Sequence, residues 1–179
     1  MSDRRRMEER AAAQWPFLSV MSAGVGDAVQ FAGGLIYDRV KVGWRVTVLL
    51  PAAEDTRALR ILGADIADIA DPPTQLRACR TALAASAAMF AHDVSTCAEV
   101  KSALATKTTE VILWGPAFPA DLDERGSRQI TYRLSRAALV FKSHALTAAG
   151  LDPVSIAPTE TFGTTCARNV IAPDLDVAG

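Results

Sequence analysis

The sequence predicts a single α/β domain, with a Rossmann-like, mostly parallel sheet and helices on both faces. Short apolar runs alternate with amphipathic stretches of helical period along residues 17–150, a pattern typical of repeated strand–helix–strand units. Residues 46–50 and 111–114 are apolar almost throughout, as strands covered on both faces are. The chain has 179 residues, of which 50% are hydrophobic, enough for one domain with its own core.

The predicted order begins with a strand over residues 17–21, an apolar run of β-favouring residues. A helix is predicted over residues 27–41, because apolar side chains recur there every 3.6 residues and Gly43 follows. Residues 45–50 are predicted as the second strand, and Pro51 closes it. Each of these elements is long enough to form one layer of a strand–helix–strand unit.

The middle of the chain predicts a short helix over residues 54–62, which Gly63 ends. A weaker strand follows at residues 65–69, where apolar side chains alternate with aspartates. Two prolines then open a helix predicted over residues 74–86, since proline is common in a first helical turn.

The second half predicts a fourth strand over residues 88–91 and then a helix. Thr96 and Glu99 have capping-box spacing at the start of that helix. A fifth strand is predicted over residues 110–114, and a long helix over residues 125–147. The expected organisation is therefore a flexible N-terminal segment, the α/β domain and an irregular C-terminal tail, at residues 1–16, 17–150 and 151–179.

Charge and cysteine content exclude several classes of protein. Lys and Arg total 19 and Asp and Glu total 20, so a basic nucleic-acid-binding surface is not expected. No apolar run approaches the roughly 18 residues that a membrane span needs. The three cysteines are widely spaced, which indicates neither a zinc site nor a disulfide framework. The composition favours a reducing, cytoplasmic compartment.

A ligand site is expected beyond the carboxyl ends of the parallel strands. That rule selects four loops, at residues 22–27, 51–55, 92–93 and 115–125. The first and the fourth carry the least ordinary chemistry, because small residues fill one and carboxylates cluster in the other.

Two glycines in the first loop, Gly24 and Gly26, have the spacing of a dinucleotide-binding fingerprint. Glycines at these positions would let the backbone approach a pyrophosphate at a helix N-terminus. The third position of the fingerprint is Val29, and the second strand ends in Leu50-Pro51 with no acid to hold a ribose. A tight strand-to-helix turn explains the same glycines.

A longer pattern spans roughly residues 17–140 and resembles the LmbE/PIG-L family of zinc-dependent N-deacetylases. That family typically carries AHPDDE after the first strand, a Gly pair in the following helix, GHxVxVV at the second strand and HPDHR beyond the last parallel strand. The matching segments, in chain order, are Ala23-Gly24-Val25-Gly26-Asp27-Ala28, Gly33-Gly34 and residues 43–48, 57–63, 90–93, 110–116 and 121–125.

The resemblance implies which residues would hold the metal ion, and several of them are changed. The family's ligand positions fall on Gly24, Asp27 and Glu124, so one ligand is lost, one is retained and one imidazole becomes a carboxylate. The general base falls on Gly26, which cannot accept a proton, and the first His of the closing motif becomes Asp121. Loss of a general base usually costs on the order of 10²–10⁴ in rate.

The remaining candidates could rebuild such a site or replace its function. Asp27 and Glu124 are the expected metal ligands, and an all-carboxylate site suits Mg²⁺ or Mn²⁺ better than zinc. His92, Asp93 and Asp121 are the expected catalytic groups. The candidate ligand-binding residues are Ser22, Gly24, Gly26 and Trp114, the last because its ring can stack on a ring ligand. Helix capping by Asp27 and packing of Trp114 are the ordinary alternatives.

Two functions remain open from the sequence. In the first, the chain has lost the family's deacetylase activity and serves as a non-catalytic subunit that binds a small-molecule ligand or a protein partner, a second copy of itself included. In the second, it is a metal-dependent hydrolase of N-acyl amino sugars or related amides, with a rebuilt metal site. The first is favoured, because Gly24 and Gly26 remove a ligand and the base together. Whether the chain is an enzyme, and whether it holds a divalent metal or no cofactor, stays open.

Overall fold

The computed structural model describes residues 15–73, 76, 81–90, 94–106, 109–115, 128–154 and 156–164. Within them lie the strands β1 (Phe17–Met21), β2 (Arg45–Leu50), β3 (Asp65–Asp68), β4 (Ala82–Ser86), β5 (Glu110–Trp114), β6 (Arg128–Arg133) and β7 (Thr159–Thr164). The helices are α1 (Val25–Lys41), α2 (Arg57–Ile61), α3 (Ala87–Phe90), α4 (Val94–Thr106) and α5 (Arg136–Ala148).

The strands form one sheet in the order β3-β2-β1-β4-β5-β7-β6. The first five strands of this order are parallel. Strand β7 runs antiparallel to both β5 and β6. The prediction of a mostly parallel α/β sheet is confirmed, and its parallel strands end at one common edge.

Side chains alternate along β1 between two apolar layers. Leu18 and Val20 face the layer that also contains Leu35 of α1. Phe17 and Met21 face a second layer, on the opposite side of the sheet, that contains Val100 and Ala103 of α4. Both faces of the sheet are therefore covered by helices, as predicted, and the strand between them is buried along its whole length.

Two predicted elements between residues 74 and 91 are wrong in part, although Leu76 is helical as predicted. Residues 82–86, predicted as the end of a helix, form β4, and most of the predicted strand at residues 88–91 belongs to α3. This stretch is rich in alanine, which favours helices by itself but also fits a narrow buried strand. Pairing of β4 with β1 on one side and β5 on the other decides its conformation.

The long helix predicted over residues 125–147 is also wrong in its first part. Residues Arg128–Arg133 form β6, and α5 begins only at Arg136. Ile130 and Leu134 are spaced as on one face of a helix, but Ile130 and Tyr132 alternate into the core as in a strand. The side chain of Ser135 caps α5 by accepting a hydrogen bond of 3.0 Å from the backbone N–H of Ala138.

Strand β7 lies in the segment predicted to be an irregular tail. Residues Glu160, Phe162 and Thr164 alternate into the core, while Thr161 is exposed. Hydrophobicity alone did not predict this strand, because one of its buried residues is the charged Glu160. The described part of the segment therefore completes the sheet. None of the described helices is both long enough and apolar enough to cross a membrane.

Candidate functional site

Ser22 and Asp27 meet at the carboxyl end of β1. Ser22 is fully buried and follows the strand directly, and its Oγ lies 2.7 Å from Oδ2 of Asp27. Asp27 lies in the first turn of α1. The backbone N–H of Ala23 donates to the same carboxylate oxygen at 3.4 Å. Because a carboxylate is favoured at a helix N-terminus, this arrangement stabilises the start of α1 without any bound ion.

Trp114 reaches the same carboxylate from the end of β5. Its indole Nε1–H donates to Oδ1 of Asp27 at 3.3 Å. The ring is only 1% exposed and packs in the apolar layer beneath α1. Both oxygens of Asp27 thus accept hydrogen bonds from protein donors, and the structure joins three predicted site residues, Ser22, Asp27 and Trp114, in one cluster.

Glu54, which the sequence analysis did not select, lies beside Gly24. Its Oε2 accepts a hydrogen bond of 3.0 Å from the backbone N–H of Val25. A Cβ atom on Gly24 would lie 3.1 Å from Oε1 of Glu54. Glu54 follows β2 in the predicted site loop at residues 51–55, so the strand-end rule contained the signal that could have found it. The space beside Gly24 is therefore filled by a carboxylate that binds the first turn of α1.

Gly26 faces an apolar neighbour. The nearest atom to a Cβ built on Gly26 is Cδ1 of Leu151, at 3.5 Å, an ordinary van der Waals distance. A small side chain would fit at residue 26. Crowding therefore does not explain why this position carries glycine and no general base.

The described residues do not fit the metal ion that the family resemblance implies. A catalytic zinc site usually has three protein ligands. Among the described residues, no group of three or more His, Cys, Asp or Glu side chains is close enough to hold a metal ion. The predicted residues His92, Asp93, Asp121 and Glu124 lie outside the described residues. Asp27 alone does not make a metal site, so no reaction step through a metal follows from it.

A cleft of about 1010 Å³ lies beside this cluster, lined by α1, α5, the end of β5, most of β7 and the start of β6. Trp114 and Gly115 line it at the end of β5. It is therefore next to a loop that the strand-end rule selects, although the side chains of Ser22 and Asp27 are not among those that line it.

A buried ion pair forms part of the wall of the cleft. Nζ of Lys142 on α5 lies 2.6 Å from Oε1 of Glu160 on β7, and the two side chains are 7% and 2% exposed. Burial raises the pKa of the Glu160 carboxyl, and Lys142 opposes that rise. The sequence analysis missed this pair, because Lys142 lies in an amphipathic helix and Glu160 in a segment with no evident period.

The ion pair also contacts the middle of α1. Lys142 donates to the carbonyl oxygen of Gln30 at 2.7 Å. Glu160 accepts from the backbone N–H groups of Gly34 and Leu35 at 2.7 and 2.9 Å. In a regular helix the N–H of Gly34 donates to the carbonyl oxygen of Gln30. Glu160 binds this N–H and Lys142 binds this carbonyl, so the ion pair contacts both ends of one turn of α1. A side chain on Gly34 would collide with Leu134. Glycine at this position therefore allows the turn to approach its neighbours closely.

Comparisons with known proteins give the same fold. No protein-family model matches the chain, and no curated protein matches it. The A40926 pseudoaglycone deacetylase Dbv21 is 14% identical, with a TM-score of 0.54 over 82% of this chain and 96% of that one. A teicoplanin deacetylase in complex with teicoplanin is 13% identical, with a TM-score of 0.54 over 83% of this chain and 97% of that one.

A third structure, the zinc-inhibited form of teicoplanin deacetylase Orf2, is 13% identical, with a TM-score of 0.51 over 73% of this chain and 82% of that one. Similarity at this level of identity establishes the fold and leaves the activity open. The resemblance found in the sequence is thereby confirmed at the level of structure. The chain has the fold of these deacetylases, the LmbE/PIG-L-like fold, at 13–14% sequence identity.

Proposed function

We propose that this chain is a deacetylase-like protein that has lost the family's metal-dependent hydrolysis and binds a small-molecule ligand or a protein partner instead. The observation that carries the proposal is the position of Glu54. Its carboxylate lies where a side chain on Gly24 would project, and it accepts a hydrogen bond from Val25. At the position of a family metal ligand, the chain thus has a glycine with the carboxylate of Glu54 packed against it.

The retained acid supports the same interpretation. Both oxygens of Asp27 accept hydrogen bonds, from Ser22, Ala23 and Trp114. A metal ion at Asp27 would have to share its oxygens with these donors or displace them, and one donor, Trp114, is buried in the core. Asp27 therefore acts as part of the internal support of α1.

The residue at the position of the general base also supports the loss of hydrolysis. Hydrolysis of an amide needs a group that takes a proton from the attacking water, and its loss typically lowers the rate by about 10²–10⁴. Gly26 supplies no such group, and the side chain nearest to it is the apolar Leu151. The described part of the site thus holds neither the base nor a complete ligand set.

A deacetylation assay tests the proposal. The protein is incubated with N-acetylglucosamine in the presence of Zn²⁺, Mn²⁺ or Mg²⁺, and released acetate is measured. We expect no more acetate than in a blank without protein. Release of acetate by the wild type that is abolished in Asp27→Ala would instead establish the competing function, a hydrolase with a rebuilt metal site. The Ser143→Ala variant, on α5, is the matched control and should behave as the wild type, whereas contaminating activity would persist in Asp27→Ala.

A further inference from the structure

The cleft beside Trp114 has the size of a small-molecule site. Its volume of about 1010 Å³ is at the upper end of the roughly 300–1,000 Å³ that ligand pockets occupy. It lies at the carboxyl end of β5, where ligands of parallel sheets bind. Size and position together make it the first place in the described structure to look for a ligand.

Much of its wall is apolar. Phe31 on α1 contributes a ring that is 42% exposed, and Leu146 on α5 lines the cleft beside it. Leu151 and Ile156, from the connection between α5 and β7, add to the same lining. An apolar body of a ligand would remove these surfaces from water, at about 25 cal/mol per Å² buried.

One buried polar element of the wall is Lys142, which carries an ammonium group. A lysine ammonium has three N–H donors. Among the described residues the structure gives it two acceptors, the carbonyl of Gln30 and the carboxylate of Glu160. One N–H therefore remains for an acceptor supplied from the cleft, on a side chain that is 93% buried, since 7% is exposed.

The charge of this donor is already matched. Glu160 lies 2.6 Å from the ammonium, so the pair brings no net charge to the cleft. A carboxylate ligand would place a second negative charge close to Glu160 and would lose the strong hydration of an ion, whereas a neutral oxygen acceptor adds no charge and loses much less hydration. Arg128 and Asp152, which also line the cleft, are exposed and of opposite sign.

We infer that the cleft binds a small uncharged molecule with an apolar body and a carbonyl or hydroxyl oxygen, which accepts a hydrogen bond from Lys142. This inference rests on the ligand-binding arm of the proposed function and specifies the class of ligand. The polar oxygen would be held at the buried pair, and the apolar body would lie against Phe31 and Leu146.

Two matched probes test it. Phenylacetamide and phenylacetate share one apolar body and differ in charge, and binding of each is followed by protein NMR titration. We expect the amide to bind about tenfold more tightly than the carboxylate. The wall variant Phe31→Ala should weaken amide binding several-fold, whereas Val140→Ala, which removes an exposed apolar side chain outside the cleft, should not.

The charge-matched variant Lys142→Met/Glu160→Gln removes the donor without leaving a lone buried charge, and it should abolish the preference for the amide. Equal or tighter binding of phenylacetate by the wild type, or no difference between Phe31→Ala and Val140→Ala, would overturn the inference. So would the absence of binding of either probe. Conversion of the amide into phenylacetate in the same spectra would overturn the proposed function instead, which keeps the two failures distinguishable.

Discussion

The carboxylate of Glu54 lies against Gly24, with Oε1 3.1 Å from the position that a Cβ atom of residue 24 would take. Its other oxygen accepts a hydrogen bond from the N–H of Val25 in the first turn of α1. Gly24 itself is fully extended, with φ 178° and ψ 174°, a conformation open to any residue. Backbone geometry therefore does not require glycine at residue 24, and Glu54 leaves a tight fit for an added side chain.

Replacing Glu54 by alanine removes the acceptor of the Val25 N–H. We expect the free energy of unfolding to fall by about 0.5–1 kcal/mol, because losing a carboxylate at a helix N-terminus typically costs that much at an exposed site. Urea denaturation measures the change. Glu54→Gln keeps an acceptor oxygen and should lose less than Glu54→Ala. A loss as large in Glu54→Gln would mean that the hydrogen bond to Val25 is not what matters.

Two glycine-to-alanine substitutions in α1 and its cap should differ in cost. At Gly24 the added methyl group meets only the exposed, flexible side chain of Glu54, and we expect a loss of up to about 1 kcal/mol. At Gly34 it collides with the buried side chain of Leu134, and overpacking of this kind costs about 1–3 kcal/mol or more. Thermal unfolding of both variants compares them directly. A Gly34→Ala protein as stable as Gly24→Ala would show that α1 and Leu134 can move apart freely.

Removing the positive member of the buried ion pair should be severe. Lys142→Met leaves Glu160 buried without its cation, and breaking a buried pair in this way costs about 3–5 kcal/mol. The double variant Lys142→Met/Glu160→Gln removes both charges and should recover a large part of that loss at neutral pH. Urea denaturation of the wild type, the two single variants and the double variant gives the coupling energy. Additive losses would contradict the pairing of Lys142 with Glu160.

The same pair predicts a dependence of stability on pH. Burial raises the pKa of Glu160 above its ordinary value of 4.5, so the folded chain holds this proton more tightly than the unfolded chain. Its contribution to stability is therefore complete below pH 4.5 and is lost as the pH rises through the raised pKa. Denaturation of the wild type and of Glu160→Gln across this range should show their difference shifting against the wild type. A shift in favour of the wild type would mean that Lys142 outweighs burial.

Of the described strands, β1, β2, β3 and β5 lie where the sequence predicts them, whereas β4, β6 and β7 do not. Residues of β1, β2 and β5 are nearly all apolar, and each strand lies where it was predicted. Strand β4 is composed largely of alanine, and its conformation depends on neighbours on both sides. Strand β7 carries a buried glutamate, whose burial depends on a lysine on another element. A local sequence pattern does not show which distant residues will pack against a strand or pair with its charges.

Some residues of the candidate site could also be predicted from the sequence, and others could not. The rule that ligands bind at strand ends selected the loops that bring Ser22, Asp27 and Trp114 together. Glu54 lies in one of those loops, but its contact with the first turn of α1 depends on how β1 and β2 lie side by side. The predicted roles of His92, Asp93, Asp121 and Glu124 stay predictions, because these residues lie outside the described part of the chain.

Metal content tests the central claim most directly. The protein is purified without chelator, offered Zn²⁺, Mn²⁺ and Mg²⁺ in turn, desalted and measured by elemental mass spectrometry, beside Asp27→Ala. Because the ligand position at Gly24 and the base position at Gly26 carry no side chain, and both oxygens of Asp27 accept hydrogen bonds from the protein, we predict far less than one retained ion per chain, with no difference between the two proteins. One ion retained per chain by the wild type and lost from Asp27→Ala would contradict the loss of the metal site and favour the metal-dependent hydrolase instead.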